Sequence, residues 1–348
     1  MRQSKLTALI FAVTLALAHT PDILWALGNK DSPQGELFIY SVINEEETKQ
    51  LAELFTAQTG IKVSYFRAAT GEIISRVKAE KNAPQADILL GGAESQHISA
   101  ALAGALAAYK SPALKGIPPS IGRSPAYAKD GAWTGFCVLT LGIGINETRF
   151  KAKFPGKAYP ATWDALADPA FKGELVFTDP LKSSTGYLFL QSQLQGRGEQ
   201  AGWDYFKKLT PLAAQLPASG GAPPQLIGRG EYAICVAYVH ALRLYSAQGF
   251  PVKIIVPPKT VGEVDAVSII KNGPNAKSKA AEKFIDFMLS KEAQDLFSSL
   301  SHTIPVNPAA KQDAGAVSID KIDLLNYDSE KAGAQRDAAL LRWEKEVL

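Results

Sequence analysis

The sequence predicts two α/β lobes, each a mostly parallel sheet flanked by helices, joined by strands that cross between them. Three observations carry this expectation. Three apolar, strand-like runs each lead through small or hydroxyl residues into an amphipathic helix, at Ser41-Val42-Ile43-Asn44, Ala68-Ala69-Thr70-Gly71-Glu72 and Gly91-Gly92-Ala93-Glu94-Ser95. The arrangement returns in the second half at Asp179-Pro180-Leu181-Lys182-Ser183-Ser184-Thr185-Gly186. The chain of 348 residues also exceeds what one hydrophobic core usually serves.

The elements follow in order. Leu37–Tyr40 is a short buried strand, and Asn44 starts a helix with Glu47 three residues on, a capping box. Leu51, Leu54 and Phe55 form the apolar face of that helix, and Gly60 ends it. Ile61–Phe66 and Asp87–Leu90 are strands, while Glu72–Lys81 and Ser95–Ala103 are helices. Alternation of strand and helix with such short connections dictates a parallel sheet, whose ligands lie beyond the carboxyl ends of its strands. The run Phe136–Ile145 is too long and too rich in glycine for a simple strand of that sheet, and reads as a crossover between lobes.

Beyond it, Thr162–Ala167 reads as a capped helix, Glu174–Thr178 as a strand and Tyr187–Gln195 as a helix. Pro217–Pro224 is a Gly/Pro loop. Tyr232–Ala237 and Val252–Val256 are strands around a helix at His240–Gln248. Asp265–Ile270 is a strand returning to the first lobe. Ser278–Lys291 is amphipathic, Glu292–Leu300 continues the helical pattern, and a last helix covers Ala334–Val347. The division is a signal peptide at 1–26, a first lobe from 35–135 and 265–348, and a second lobe from 136–264.

The signal peptide is read from basic Arg2 and Lys5, the thirteen-residue apolar run Leu6–Ala18, and Ala16-Leu17-Ala18 at a small-x-small cleavage site. A second candidate site follows Ala26. Loss of Arg2 and Lys5 lowers the formal charge from +3 to +1, and loss of Asp22 with them leaves +2. That near balance gives no footprint for nucleic acid. Cys137 and Cys235 are the only cysteines. An export compartment permits a disulfide. Their places on two antiparallel neighbouring strands, one near the cleft end and the other mid-strand, set them beyond bridging distance, so they read as small buried hydrophobes.

An ordered series of motifs carries a family resemblance: Leu37–Ser41, Gly60–Val63 with Gly71-Glu72, Ala86-Asp87-Ile88, Trp163 with Ala170–Gly173, Thr178-Asp179-Pro180 with Ser183-Ser184, Gly230–Ile234, and Ala280–Met288. Over about residues 35–300 this series resembles the periplasmic solute-binding proteins of ABC importers, in the branch that holds ferric-ion, phosphonate and sugar-phosphate binders. The resemblance implies the two-lobed periplasmic-binding-protein fold (type II), a ligand held between the lobes, and delivery by a monomer to an ABC permease in the inner membrane.

The expected ligand-binding residues are Ser41, Asn44, Thr70, Gly71, Gly92, Ser183, Ser184, Thr185, Ser219, Tyr238 and His240. Hydroxyls and free backbone N–H groups at helix starts hold anionic oxygens without Lys or Arg, because the helix dipole favours negative charge there. Such loops in both lobes point to a small phosphate- or phosphonate-bearing organic anion. Trp133 and Tyr238 are candidate cleft walls, while His97 reads as a surface residue and His302 as structural.

A ferric ion is the alternative ligand. Ferric binders of the family present adjacent tyrosines after the strand that here ends at Ala237, whereas Tyr238-Val239-His240 offers one phenolate, a poor set for a hard cation. The second alternative is a sensor partner or a secreted enzyme. No G-x-S-x-G, H-E-x-x-H, C-x-x-C, Walker loop or G-x-G-x-x-G occurs, so no catalytic residue, metal ligand or cofactor is expected.

Overall fold

A computed structural model describes residues 35–313, 315 and 318–348. The signal-peptide reading of 1–26 lies outside these residues. The architecture is the two-lobed α/β fold of the periplasmic binding proteins. Its main sheet places strands in the order Lys62–Arg67, Glu36–Ser41, Ile88–Ala93, Gly262–Ile270, Thr134–Asn146, Ile234–Tyr238, Leu175–Val176 and Ala213–Gln215. The first three run parallel, in keeping with the helices Glu45–Thr59 and Thr70–Ala79 that connect them. Gly262–Ile270 is antiparallel to its neighbours on both sides.

Thr134–Asn146 joins the two groups of strands. Residues 134–140 pair with 262–267, while 141–146 pair with Ile234–Tyr238 and with Val252–Ile255. The run read as a crossover is one continuous strand of thirteen residues, all buried. Gly142 and Gly144 make room for the covering helices. A Cβ on Gly144 would stand 2.3 Å from Leu242 Cδ2 and 2.7 Å from Ile227 Cδ1.

Helix starts and stops follow local chemistry. The backbone N–H of Asn44 donates to Glu47 Oε2 at 3.1 Å, completing the capping box, and Gly60 closes the same helix at φ 71°. The segment Thr162–Ala167 holds only a short 3₁₀ turn, Asp164–Ala167. Leu51 and Phe55 are fully buried, and Phe55 meets Phe284 and Phe287 edge to face, which ties the first helix to Ala280–Met288. On the other side, Phe177, Phe189, Phe206 and Trp343 form a chain of edge contacts in the same large core.

The last helices touch both groups of strands. Gly333, in Ser329–Ala334, lies against Ser95 and Ile98 of the helix Glu94–Leu102. Arg336–Glu346 packs on Glu199–Leu209 through Trp343 on Phe206, Arg342 over the Trp203 ring, and Lys207 with Glu346 at 2.8 Å, and its Arg336 lies over the Tyr187 ring of Ser184–Arg197. Lys78 of Thr70–Ala79 pairs with Asp337 at 2.9 Å.

Both cysteines are free and buried. Cys137 is in register with Asp265 and Pro305, and Cys235 with Gly144. Seven strand positions along Thr134–Asn146 separate the two, roughly 23 Å at the usual strand rise.

Candidate functional site

Three helices begin at one cavity. Thr70–Ala79 follows the strand Lys62–Arg67, Ser184–Arg197 follows the loop after Leu175–Val176, and Val239–Ala247 follows Ile234–Tyr238. None of the three receives a side-chain cap. The N-cap residues are Ala69, which has no capping atom, and Ser183 and Tyr238, whose hydroxyls do not bond to their own helices. The first backbone N–H groups of such helices lack intrahelical partners. A neighbouring helix satisfies its own start with a carboxylate, Glu47 accepting from Asn44 N at the helix from Glu45, whereas the Glu94 carboxylate accepts from Val264 N of a distant strand and leaves its own helix start without a side-chain cap.

The cavity holds about 160 Å³ and is walled by both groups of strands. Asn44, Thr70 and Gly92 come from one side, and Ser183, Ser184, Thr185, Ser219, Tyr238 and His240 from the other. The loop before Ser184 is shaped by Asp179, whose Oδ1 accepts from Leu181 N at 3.0 Å and whose carbonyl accepts from Ser183 N at 3.0 Å.

Two of the expected ligand residues stand outside the wall. The Ser41 hydroxyl is fully buried against Thr48 Oγ1 at 2.8 Å, held there by its own strand and the following helix. The Gly71 N–H donates to Lys182 O at 3.1 Å and is not free for a ligand. Trp133 does not wall the cavity either: it is buried in a separate apolar cluster with Val264 and Ile117. His97, expected at the surface, is fully buried. Its Nδ1 bonds with Ser268 Oγ at 2.7 Å and its Nε2 with Gly91 O at 3.0 Å, and burial pushes its pKa down to about 4. His302 bonds to Asp313 at 2.8 Å.

The wall also holds charged residues that the sequence reading did not single out. Arg67 and Lys182 stand exposed at the rim, where Arg67 Nε donates to Ile43 O at 3.1 Å. Glu47 and Asp265 lie deeper and are both buried. Burial raises the Glu47 carboxyl and lifts Asp265 to about 7, against a hydrogen bond from the Gly92 backbone. Asp265 had a faint signal: a lone acid in the apolar run Asp265–Ile270.

Behind the wall, the Tyr238 hydroxyl donates to Glu263 Oε1 at 2.6 Å, and burial lifts both groups well above their ordinary ranges. Glu263 Oε2 and Glu94 Oε1 have no partner in this interior, and burial raises Glu94 to about 8. His240 stacks on Tyr238 with ring centroids 5.4 Å apart, and burial lowers it to about 4, so the ring is neutral at neutral pH. The cavity thus offers uncapped helix starts and hydroxyls as donors, with carboxyl oxygens on another wall as acceptors.

Comparison with known proteins agrees with this arrangement. The family model for bacterial extracellular solute-binding proteins matches residues 50–321. An uncharacterized protein of Haemophilus influenzae is 34% identical over 92% of this chain and 93% of its own length. A putative 2-aminoethylphosphonate-binding periplasmic protein of Salmonella paratyphi A is 25% identical over 98% of each. Among solved structures, the periplasmic binding protein AfuA of Actinobacillus pleuropneumoniae, with exogenous fructose-6-phosphate bound, superposes at a TM-score of 0.85, with 32% identity, over 90% of this chain and 98% of that one.

Proposed function

We propose that this chain, which belongs to the family of bacterial extracellular solute-binding proteins, is the periplasmic substrate-binding component of an ABC importer. Its ligand is a small organic anion bearing a phosphate or phosphonate group, captured by closure of the two lobes, 35–135 with 265–348 and 136–264. The observation that carries this reading is the convergence of three uncapped helix starts, at Thr70, Ser184 and Val239, on one cavity. Each such start stabilises a nearby anion by about 0.3–1 kcal/mol when exposed, and by up to about 2 kcal/mol when partly buried. A phosphate or phosphonate group presents three anionic oxygens, enough to receive donors from all three helices at once.

The remaining walls favour an organic ester or phosphonate over free inorganic phosphate. Asp265 and Glu47 bring acceptor oxygens to the same cavity and would take hydroxyl or ammonium protons from the rest of the ligand. The relatives fit this pairing: one solved protein holds fructose-6-phosphate, and another relative is named for 2-aminoethylphosphonate. These relatives are binding proteins, and we assign this chain the same non-catalytic role, with the ligand passed to an inner-membrane permease.

The ferric alternative fits the residues less well. The Tyr238 hydroxyl is already committed to Glu263, and burial holds it protonated. Among the described residues, no three of His, Cys, Asp and Glu come together to hold a metal ion.

A thermal-shift and scattering experiment tests the proposal. Ligand that binds only the folded state raises the melting temperature by mass action. An organophosphate or phosphonate should raise it and shrink the radius of gyration, while its unphosphorylated parent should do neither. Equal shifts from both compounds would overturn the reading.

A further inference from the structure

We propose that Gly71 is a specificity-determining residue that sets how closely the two lobes approach and so which length of phosphorylated ligand the cleft accepts. This rests on the anion-binding reading of the cleft. Gly71 is the second residue of the helix Thr70–Ala79, one position after the cavity-lining Thr70. It is not among the residues with positive φ, so its backbone conformation suits any residue. Helices do not favour Gly over Ala, so local propensity does not explain the glycine.

Its neighbour does. A Cβ at position 71 would lie 2.3 Å from Leu181 O, 3.1 Å from Lys182 Cα and 3.3 Å from Leu181 C. All three atoms are backbone of the loop that leads to Ser183 and Ser184, so no side-chain rotation relieves the overlap. In the same place Gly71 N–H donates to Lys182 O at 3.1 Å. The two anion-facing loops therefore meet backbone to backbone at a seam that only glycine allows. The nearest of these gaps falls roughly 1 Å short of ordinary non-bonded contact, and Gly71→Ala must widen the seam by about that much. The same widening separates Thr70 from Ser183 and Ser184. A short ligand that must touch both walls loses its donors on one of them. A longer ligand, with a polar chain reaching Asp265, keeps more of its contacts.

The test is calorimetric titration of wild type and Gly71→Ala with 2-aminoethylphosphonate and with fructose 6-phosphate. It is paired with pulsed electron resonance distances between spin labels at Lys81→Cys and Lys172→Cys, positions exposed on opposite lobes. The native thiols are buried and stay unlabelled. We expect Gly71→Ala to fold with an unchanged circular dichroism spectrum and to show a longer inter-label distance with ligand. It should weaken 2-aminoethylphosphonate at least tenfold more than fructose 6-phosphate. Equal losses for the two ligands, or unchanged affinities, would overturn the specificity role. If neither compound binds wild type, the anion reading fails instead. The seam is then judged by the label distances alone, where identical distributions in both proteins would refute it.

Discussion

Replacing Ser183 by alanine separates two roles that the sequence leaves open. Ser183 is the N-cap residue of Ser184–Arg197, and an N-cap serine ordinarily contributes about 1 kcal/mol to its helix. Here the hydroxyl makes no cap bond, although the residue is buried and lines the cavity. Its removal should therefore leave ligand-free stability almost unchanged. Had it been a cap, the loss would lower the melting temperature by about 1–2 °C for a chain of this length. Towards an anionic ligand the same hydroxyl is a charge-assisted donor, worth about 1.5–3 kcal/mol, or roughly 10- to 150-fold in Kd. Thr70→Val removes the corresponding donor from the opposite lobe and should weaken binding by a similar factor. Calorimetric titration gives Kd, and differential scanning calorimetry of the ligand-free protein gives the melting temperature. A Ser183→Ala protein that melts lower and binds phosphorylated ligands like wild type would refute the reasoning and return Ser183 to an ordinary cap.

Three further outcomes follow from the interior around the cleft. Between about pH 4 and 6.5, buried neutral His97 binds a proton only on unfolding, and partly buried His240, lowered in the same direction, follows it, so they make stability rise with pH, while Glu94, Glu263 and Asp265, all raised by burial, make it fall. Above pH 6.5 the carboxyls act alone, so ligand-free stability should fall towards pH 8 by up to about 1.4 kcal/mol per pH unit for each group still titrating, and Asp265→Asn should flatten the slope; a melting temperature that rises from pH 6.5 to 8 would contradict this. Tyr238→Phe strips Glu263 of its 2.6 Å hydrogen bond and should destabilise the fold by about 1–3 kcal/mol in urea titration, and an unchanged midpoint would mean that the bond adds nothing. Cys137 and Cys235 should react with a thiol reagent only on unfolding, since burial raises both thiols, and prompt labelling of native protein would contradict their packing.

Much of the fold was legible because local signals and global pattern agree. The Asn44–Glu47 capping box and Gly60 bracket one helix, and the apolar runs at residues 37, 88 and 234 are strands in the expected orientations. The stagger inferred for the two cysteines matches the register that keeps them apart. Other features depend on contacts between distant segments. Gly71 looks like a helix-start donor from its neighbours alone, and only the approach of Leu181 and Lys182 commits its N–H elsewhere. Ser41 has the right residue type beside the right loop, but Thr48, seven residues on in the following helix, claims its hydroxyl. Asp265 is masked by the apolar strand that carries it. No sequence expectation covers the helix Glu199–Leu209, although Trp203, Phe206 and Leu209 have helical spacing and are buried. The last helix, read at Ala334–Val347 as part of the first lobe, also packs through Trp343 and Arg342 on Phe206 and Trp203 of Glu199–Leu209.

The central claim is that the cleft selects an organic phosphate or phosphonate through helix starts supplied by both lobes. Native mass spectrometry of protein purified without refolding, followed by denaturation and mass analysis of whatever is released, tests it most directly. The account predicts a released small organic anion that contains phosphorus, in up to one copy per chain. Release of ferric ion, or of an uncharged compound without phosphorus, would contradict it.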